Sequence, residues 1–78
     1  MKIKIGDIII KCKSRRSYII IDILKKSDNG KMYSVATANN NIIDTDDHVE
    51  AIILYHEGNI RNKLVFVEDL VNYNMKRK

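Results

Sequence analysis

The chain has 78 residues, of which 45% are hydrophobic and 31% are charged, and its formal net charge at pH 7 is +4. These values are typical of a folded globular chain and exclude an intrinsically disordered one. A chain of this length forms one domain, residues 1–78, whose last residues 75–78 we expect to fray, and its core is too thin for a deep, dry catalytic pocket.

The cysteine content and the short apolar runs indicate a cytoplasmic protein. Cys12 is alone, so no disulfide can form within the chain, whereas small secreted domains usually carry several. Aliphatic runs such as the triplets 8–10 and 19–21 are too short for a signal peptide or a membrane span. We therefore expect a cytoplasmic protein that makes no contact with a membrane.

Charge is distributed unevenly along the chain. Residues 1–31 carry a net charge of +6 and residues 32–75 carry −5, before a basic tail at 76–78. A nucleic-acid-binding protein usually presents a continuous basic face. The separation of positive and negative charge along this chain therefore argues against nucleic acid as the partner. The abundance of Ile (14), Lys (10) and Asn (8), all with A/T-rich codons, indicates a low-GC bacterium or a phage that infects one.

Two strands are predicted in the first third of the chain. Residues 8–13 alternate with a period of two, which places Ile8, Ile10 and Cys12 on one face, and we expect that face to be the buried one. Gly6-Asp7 precedes this strand and shifts the alternation, which predicts a bulge or bend. In the second strand, residues 18–24, the uniform apolar face is Ile19, Ile21 and Ile23.

A hairpin is predicted after the second strand. Residues 27–30, Ser-Asp-Asn-Gly, contain the residue types that tolerate the positive φ of tight turns. We therefore pair the second strand with residues 32–38 in antiparallel fashion, and residues 39–41 end the third strand.

Residues 46–57 allow two interpretations. As a helix, the segment would begin at Asp47 with Glu50 as its capping-box partner and end at Gly58. As a strand, it is supported by its β-branched and aromatic residues, and the strand is the preferred interpretation. A further short strand is predicted at 63–67, with Phe66 in the core, followed by a turn or short helix at 70–73. The predicted fold class is thus mainly β, a small antiparallel sheet or barrel, with an α+β alternative if 46–57 is helical.

Neither the cysteine nor the acidic run predicts a reactive or metal site. Cys12 continues the face of Ile8 and Ile10, which predicts a buried, inert thiol. Residues 44–48 lack the ligand spacing of an EF-hand or a zinc site, and residues 44–50 are expected to be an exposed acidic segment. Phosphate-binding glycine motifs and a nucleophile elbow are missing from the sequence, so we expect no enzyme activity and no cofactor.

One compact basic cluster is the candidate partner-binding site. It comprises Arg15, Arg16, Lys11, Lys13 and Tyr18. Arginine pairs with carboxylates and phosphates in a bidentate manner, so this loop suits an acidic partner.

The pattern of Gly6-Asp7 before a strand, a polar loop, a second strand, a turn and a third strand resembles the opening of small SH3-like β-barrels. The pair Glu68-Asp69 before Leu70 is similar to their closing strand, and the resemblance covers roughly residues 5–38 and 63–71. It implies a fold used to bind protein, RNA or DNA, and a fold alone does not choose among them. We expect a non-catalytic module that docks on a larger partner protein, in a phage or mobile element that modulates a host machine; the alternatives are a nucleic-acid-binding module that uses Arg15-Arg16 and, more distantly, a small enzyme.

Overall fold

The computed structural model describes residues 1–35, 41–56, 58 and 61–76. The protein is mainly β and antiparallel, as predicted. Its elements are β1 Lys2–Ile3, β2 Ile8–Lys11, β3 Ser17–Lys26, β4 Met32–Ser34, β5 Ile43–Asp44, β6 Val49–Tyr55, β7 Lys63–Phe66, the 3₁₀ turn η1 Val67–Asn72, and β8 Tyr73–Met75. No helix in the described ranges is long and apolar enough to cross a membrane.

The main sheet has the strand order β7-β6-β3-β2-β8, and β4 pairs with the C-terminal half of β3. If the five strands lay flat, β7 and β8 would be about 19 Å apart. The six residues of η1 join them directly, and a 3₁₀ turn of that length spans only roughly 12 Å. The sheet must therefore curl, and the residues on its inner face enclose the core.

The predicted hairpin is confirmed at Gly30. Lys26 pairs with Met32, and the amide of Ser27 donates to the carbonyl of Lys31 at 2.8 Å. Gly30 has a φ of 84°, a conformation that glycine adopts without steric cost. The end of the predicted third strand, residues 36–38, and its terminating residues 39–40 lie outside the described residues.

The strand interpretation of the segment 46–57 is confirmed for residues 49–55, and the helix alternative is wrong there. β6 runs from Val49 to Tyr55 and is hydrogen-bonded to β3 on one side and β7 on the other. A central strand satisfies its backbone groups on both edges, and the β-branched side chains of Ile52 and Ile53 pack well on a pleated surface. The proposed cap residue Asp47 lies instead in a turn, where its amide donates to the carbonyl of Asp44.

A bulge in β3 divides the predicted apolar face of Ile19, Ile21 and Ile23 between the two sides of the sheet. Ile20 pairs with Leu54 and Asp22 with Ile53, so Ile21 is an extra residue. An extra residue shifts the alternation by one. The buried residues are therefore Ile20 before the bulge and Ile23 after it, both 0% exposed, whereas Ile19 is 41% exposed.

In β2 the buried residue is Ile9, and the expectation that Ile8 and Ile10 face the core is wrong. Ile9 is 2% exposed and packs in the main core, while Ile8 and Ile10 are only half-buried on the opposite face. Three consecutive isoleucines give no contrast between the two faces, so the alternation could not select one.

The C-terminal segment is held by β2. Met75 pairs with Ile9, and the amide of Lys76 donates to the carbonyl of Ile8 at 2.9 Å. Residues 77–78 lie outside the described ranges.

Candidate binding surface

The loop that carries Arg15 and Arg16 is fixed by main-chain hydrogen bonds. The amide of Lys11 donates to the carbonyl of Arg16 at 2.9 Å, and the amide of Arg15 donates to the carbonyl of Lys11 at 2.8 Å. The amide of Cys12 donates to the carbonyl of Asn72 at 2.8 Å, which ties the loop to η1. Both arginines, together with Lys13, are exposed on this tight scaffold.

Cys12 is exposed in this loop, so its predicted burial is wrong. It follows the last residue of β2 and lies in the turn that leads to Arg15, where the alternation of the strand has ended. Even an extended strand would not bury Cys12, because the residues with which it alternates, Ile8 and Ile10, lie on the outer side of the sheet.

Five large apolar side chains form what we call the outer face. They are Ile8, Ile19, Tyr55, Leu64 and Phe66. Ile8 pairs with Ile19, and Ile19 pairs with Tyr55, which makes a row across three strands. Leu64 pairs with Ile53, two residues before Tyr55, and Phe66 follows Leu64 on the same face. All except the half-buried Ile8 are exposed, between 38% and 45%.

Phe66 was expected in the core, and that expectation is wrong. It is 45% exposed, whereas its neighbour Val65 is 4% exposed and points inward. The sequence does not predict the outer face, because its residues become neighbours only through the pairing of strands that are distant in the chain. The one sequence signal that could have revealed it is the density of isoleucine on both faces of β2 and β3.

Tyr18 lies beneath the basic residues rather than among them. Its ring is 5% exposed and contacts the buried ring of Tyr73 in a T-shaped arrangement, with centroids 6.1 Å apart. The His56 ring lies 5.4 Å away, and its Nδ1 is 2.9 Å from the carbonyl oxygen of Ser17. The aromatic side chain of the predicted cluster is thus part of the core.

Lys63, which the predicted cluster did not include, lies over these two tyrosines. Its Nζ is 5.7 Å from the centroid of Tyr18 and 6.0 Å from that of Tyr73. A hydrogen bond to the Tyr73 hydroxyl oxygen raises the pKa of Lys63 above its usual value. Lys63 is the first residue of β7 and Lys11 is the last residue of β2. The sequence does not show that these two strand ends lie at the same end of the sheet.

Lys11 is the direct neighbour of Lys63. The Lys63 ammonium, within hydrogen-bonding reach and of the same charge, lowers the pKa of Lys11 below its usual value, and Arg16 and Lys13 add to this effect. The two lysines meet at Tyr73, because Lys11 pairs with Tyr73 in β8 and Lys63 lies over the ring of the same residue. Both line the cavity at this end of the core.

The end of the sheet that carries Lys11, Lys63 and the loop arginines has an excess of unpaired positive charge. Among the described residues, ion pairs within 4 Å join the N-terminus of Met1 to Asp44 and Lys25 to Asp47. Within the same ranges no carboxylate lies that close to Lys11, Lys63 or the loop arginines. The structure therefore divides the predicted cluster into three parts. Lys13, Arg15 and Arg16 form an exposed basic loop, Lys11 lines a cavity beside Lys63, and Tyr18 is buried beneath Lys63.

The acidic segment lies elsewhere and is organised by its own turn. Asp46 and Asp47 are exposed, and the Asp46 amide donates to Asp44 Oδ1 at 3.0 Å, whereas Val49 is buried. Within the described part of the chain, no three His, Cys, Asp or Glu side chains are grouped to hold a metal ion.

Comparison with protein-family models, with curated proteins and with solved structures finds no match to this chain.

Proposed function

We propose that the protein is a non-catalytic module that docks on a larger partner protein through the outer face, with the basic loop at its rim. The observation that carries this proposal is the continuous apolar row Ile8–Ile19–Tyr55 on the solvent side of the sheet. The solvent-facing side of an antiparallel sheet usually carries polar residues. A contiguous apolar patch on that side is therefore typical of an interaction surface.

The charge beside this face defines the chemistry of the partner. Arg15 and Arg16 lie in the loop that joins β2 and β3, the two strands that carry Ile8 and Ile19. Protein interfaces combine an apolar centre with a polar rim and are enriched in tyrosine, phenylalanine and arginine. The partner surface that fits is an apolar patch bordered by carboxylates, which would pair with the loop arginines and speed association.

A nucleic-acid ligand is supported less well. Single-stranded binding uses exposed aromatic rings on a basic surface, and the tyrosines at the basic end, Tyr18 and Tyr73, are 5% and 6% exposed. If the source is a low-GC bacterium or its phage, as the composition indicates, the partner belongs to a host machine of that bacterium. The resemblance to SH3-like modules remains a prediction and agrees with a binding role.

The test begins with immobilised protein and a nuclease-treated lysate of a low-GC bacterium. A retained protein is purified, and its affinity is then measured for the wild type and three variants. The face variant is Ile19→Ala with Tyr55→Ala, the loop variant is Arg15→Ala with Arg16→Ala, and the matched control is Val71→Ala. Val71 is 82% exposed on η1 and lies outside the outer face.

We expect the face variant to lose at least about tenfold in affinity, as truncation of interface hot spots does. The loop variant should mainly slow association, and its defect should shrink at high salt. The control should bind like the wild type. Binding that survives both variants contradicts the proposal, and micromolar or tighter binding of generic DNA or RNA at physiological salt favours the nucleic-acid alternative.

A further inference from the structure

We propose that Lys11 and Lys63 form a binding site for a doubly charged oxyanion, the phosphoryl group of a phosphate monoester or free phosphate. The site is separate from the outer face, and the proposal does not rest on the docking function. It rests on a cavity, on two converging ammonium groups and on the neutral donors beside them.

The cavity lies at the end of the core, between the last residue of β2 and the first residue of β7. Its volume is about 210 Å³, and its polar lining consists of Lys11, Lys63, Asp69, Asn72 and Tyr73. Pockets for whole small molecules usually have volumes of roughly 300–1,000 Å³. This cavity therefore suits one charged group rather than an entire ligand.

The two ammonium groups are held together by the fold. Lys63 is positioned by the rings of Tyr18 and Tyr73, 5.7 and 6.0 Å from its Nζ, and these rings are fixed because they are buried. Lys11 is positioned by the pairing of β2 with β8. Adjacent like charges repel, and an anion between them would convert this repulsion into two charge-assisted hydrogen bonds.

The charge around the cavity favours a dianion over a monoanion. Lys11 and Lys63 in the lining contribute two positive charges, and Asp69 contributes one negative charge. Arg16 and Lys13 act on Lys11 from the loop and bring the net charge to +3. Asp69 makes no ion pair within 4 Å among the described residues, so both ammonium groups stay available for a ligand. The Tyr73 hydroxyl and the Asn72 amide are neutral donors that suit additional phosphoryl oxygens.

The test is a titration of the ¹⁵N-labelled protein, followed by NMR, at constant ionic strength and at about pH 7.5, where a phosphate monoester is mostly dianionic. The probes are inorganic phosphate, O-phosphoserine, the monoanionic diester dimethyl phosphate, acetate and chloride. We expect saturable shifts around Lys11, Lys63 and Asn72 with the first two probes only. Comparison of the affinities for inorganic phosphate and O-phosphoserine shows whether the site prefers free phosphate or a phosphoryl group on a larger molecule.

Variants make the assignment specific. Lys11→Met and Lys63→Met should each weaken phosphate binding by about tenfold, the loss expected for a charged hydrogen bond. Asp69→Asn should strengthen it by roughly twofold to fivefold, because a repulsive carboxylate is removed. The control Lys31→Met, an exposed lysine beside the β3–β4 turn, should bind like the wild type.

Three outcomes would overturn the proposal. They are unchanged binding in Lys11→Met, shifts that spread over all lysines without saturation, and equal binding of dimethyl phosphate. If Lys63→Met unfolds the protein, Lys11→Met and Asp69→Asn still decide the question, since Lys11 is the last residue of β2 and Asp69 is exposed. Loss of partner binding in the Arg15/Arg16 variant has no bearing on these results, so this site and the docking function can fail independently.

Discussion

Lys63 of β7 covers Tyr18 of β3, with its Nζ 5.7 Å from the centroid of the buried ring. The attraction between a cation and the face of an aromatic ring holds this lysine at the end of the core. From there its charge acts on Lys11 and lowers the pKa of that residue. The contact between Lys63 and the buried ring of Tyr18 thus determines where the positive charge that acts on Lys11 lies.

Tyr73→Phe tests the hydrogen bond that raises the pKa of Lys63. The variant keeps the ring against Tyr18 and removes the hydroxyl oxygen. We expect the pKa of Lys63, followed by ¹³C NMR of its side chain, to fall toward its usual value. The free energy of unfolding in urea should decrease by about 1 kcal/mol. Tyr33→Phe, at an exposed position on β4, serves as control, and an unchanged pKa of Lys63 in Tyr73→Phe would count against the contact.

Lys11→Met tests the like-charge repulsion through its pH dependence. The pKa of Lys11 is lower in the folded protein than in the unfolded chain, so between these two values the unfolded chain binds more protons and stability rises with pH. The raised pKa of Lys63 acts in the opposite direction, because its contribution is complete below the usual lysine pKa and is lost as pH rises through the raised value.

The variant should therefore raise the Tm at pH 7, by less than about 4 °C. Its advantage should disappear as pH rises through the lowered pKa of Lys11, where the wild type loses the repulsive charge. Thermal unfolding at a series of pH values measures this, with Lys31→Met as control. A lower Tm for Lys11→Met at pH 7 would show that the repulsion is not significant.

Ile20→Ala and Ile19→Ala together test the bulge in β3. Ile20 is fully buried, and its truncation should lower the free energy of unfolding by about 2–5 kcal/mol. Ile19 lies on the outer face, and its truncation should cost less than about 1 kcal/mol. Urea denaturation distinguishes the two, and the reverse ranking would place Ile19 rather than Ile20 in the core.

Cys12 should react rapidly with a thiol reagent in the native protein, since it is exposed in the loop after β2. Cys12→Ala should change the free energy of unfolding by no more than about 0.5 kcal/mol, as surface substitutions usually do. The rate of labelling without denaturant, compared with the rate in urea, is the measurement. Labelling that requires unfolding would mean that Cys12 is buried.

Arg15→Gly should stabilise the protein. Arg15 has a φ of 57°, in the left-handed region where a side chain costs roughly 1 kcal/mol or more and glycine does not. The matched control is Arg16→Gly, which removes a neighbouring arginine outside this region and should be neutral or mildly destabilising. Equal effects of the two changes on the urea midpoint would contradict the backbone argument.

Local features of the fold were predictable from the residues. The hairpin at Gly30 follows from turn chemistry, and the strand content follows from β-branched residues in short runs. The faces of the strands were not predictable, because Ile8, Ile9 and Ile10 are identical and because the bulge at Ile21 inverts the alternation within one strand. The run of isoleucines likewise leads to the wrong prediction for Cys12. Along residues 64–67, the alternation of Leu64 and Phe66 with Val65 and Val67 offers two apolar faces, and the sequence does not show that Val65 is the buried residue.

By itself, the sequence determined a mainly β protein with a turn at Gly30 and a basic loop at Arg15 and Arg16, because these depend on properties of neighbouring residues. Only the tertiary structure brought Lys63 next to Lys11 over two tyrosines and aligned Ile8, Ile19 and Tyr55 in one row. These neighbours are set by strand order and register, which depend on how distant segments pack, and a pattern with a period of two along one strand carries no information about which strand lies beside it.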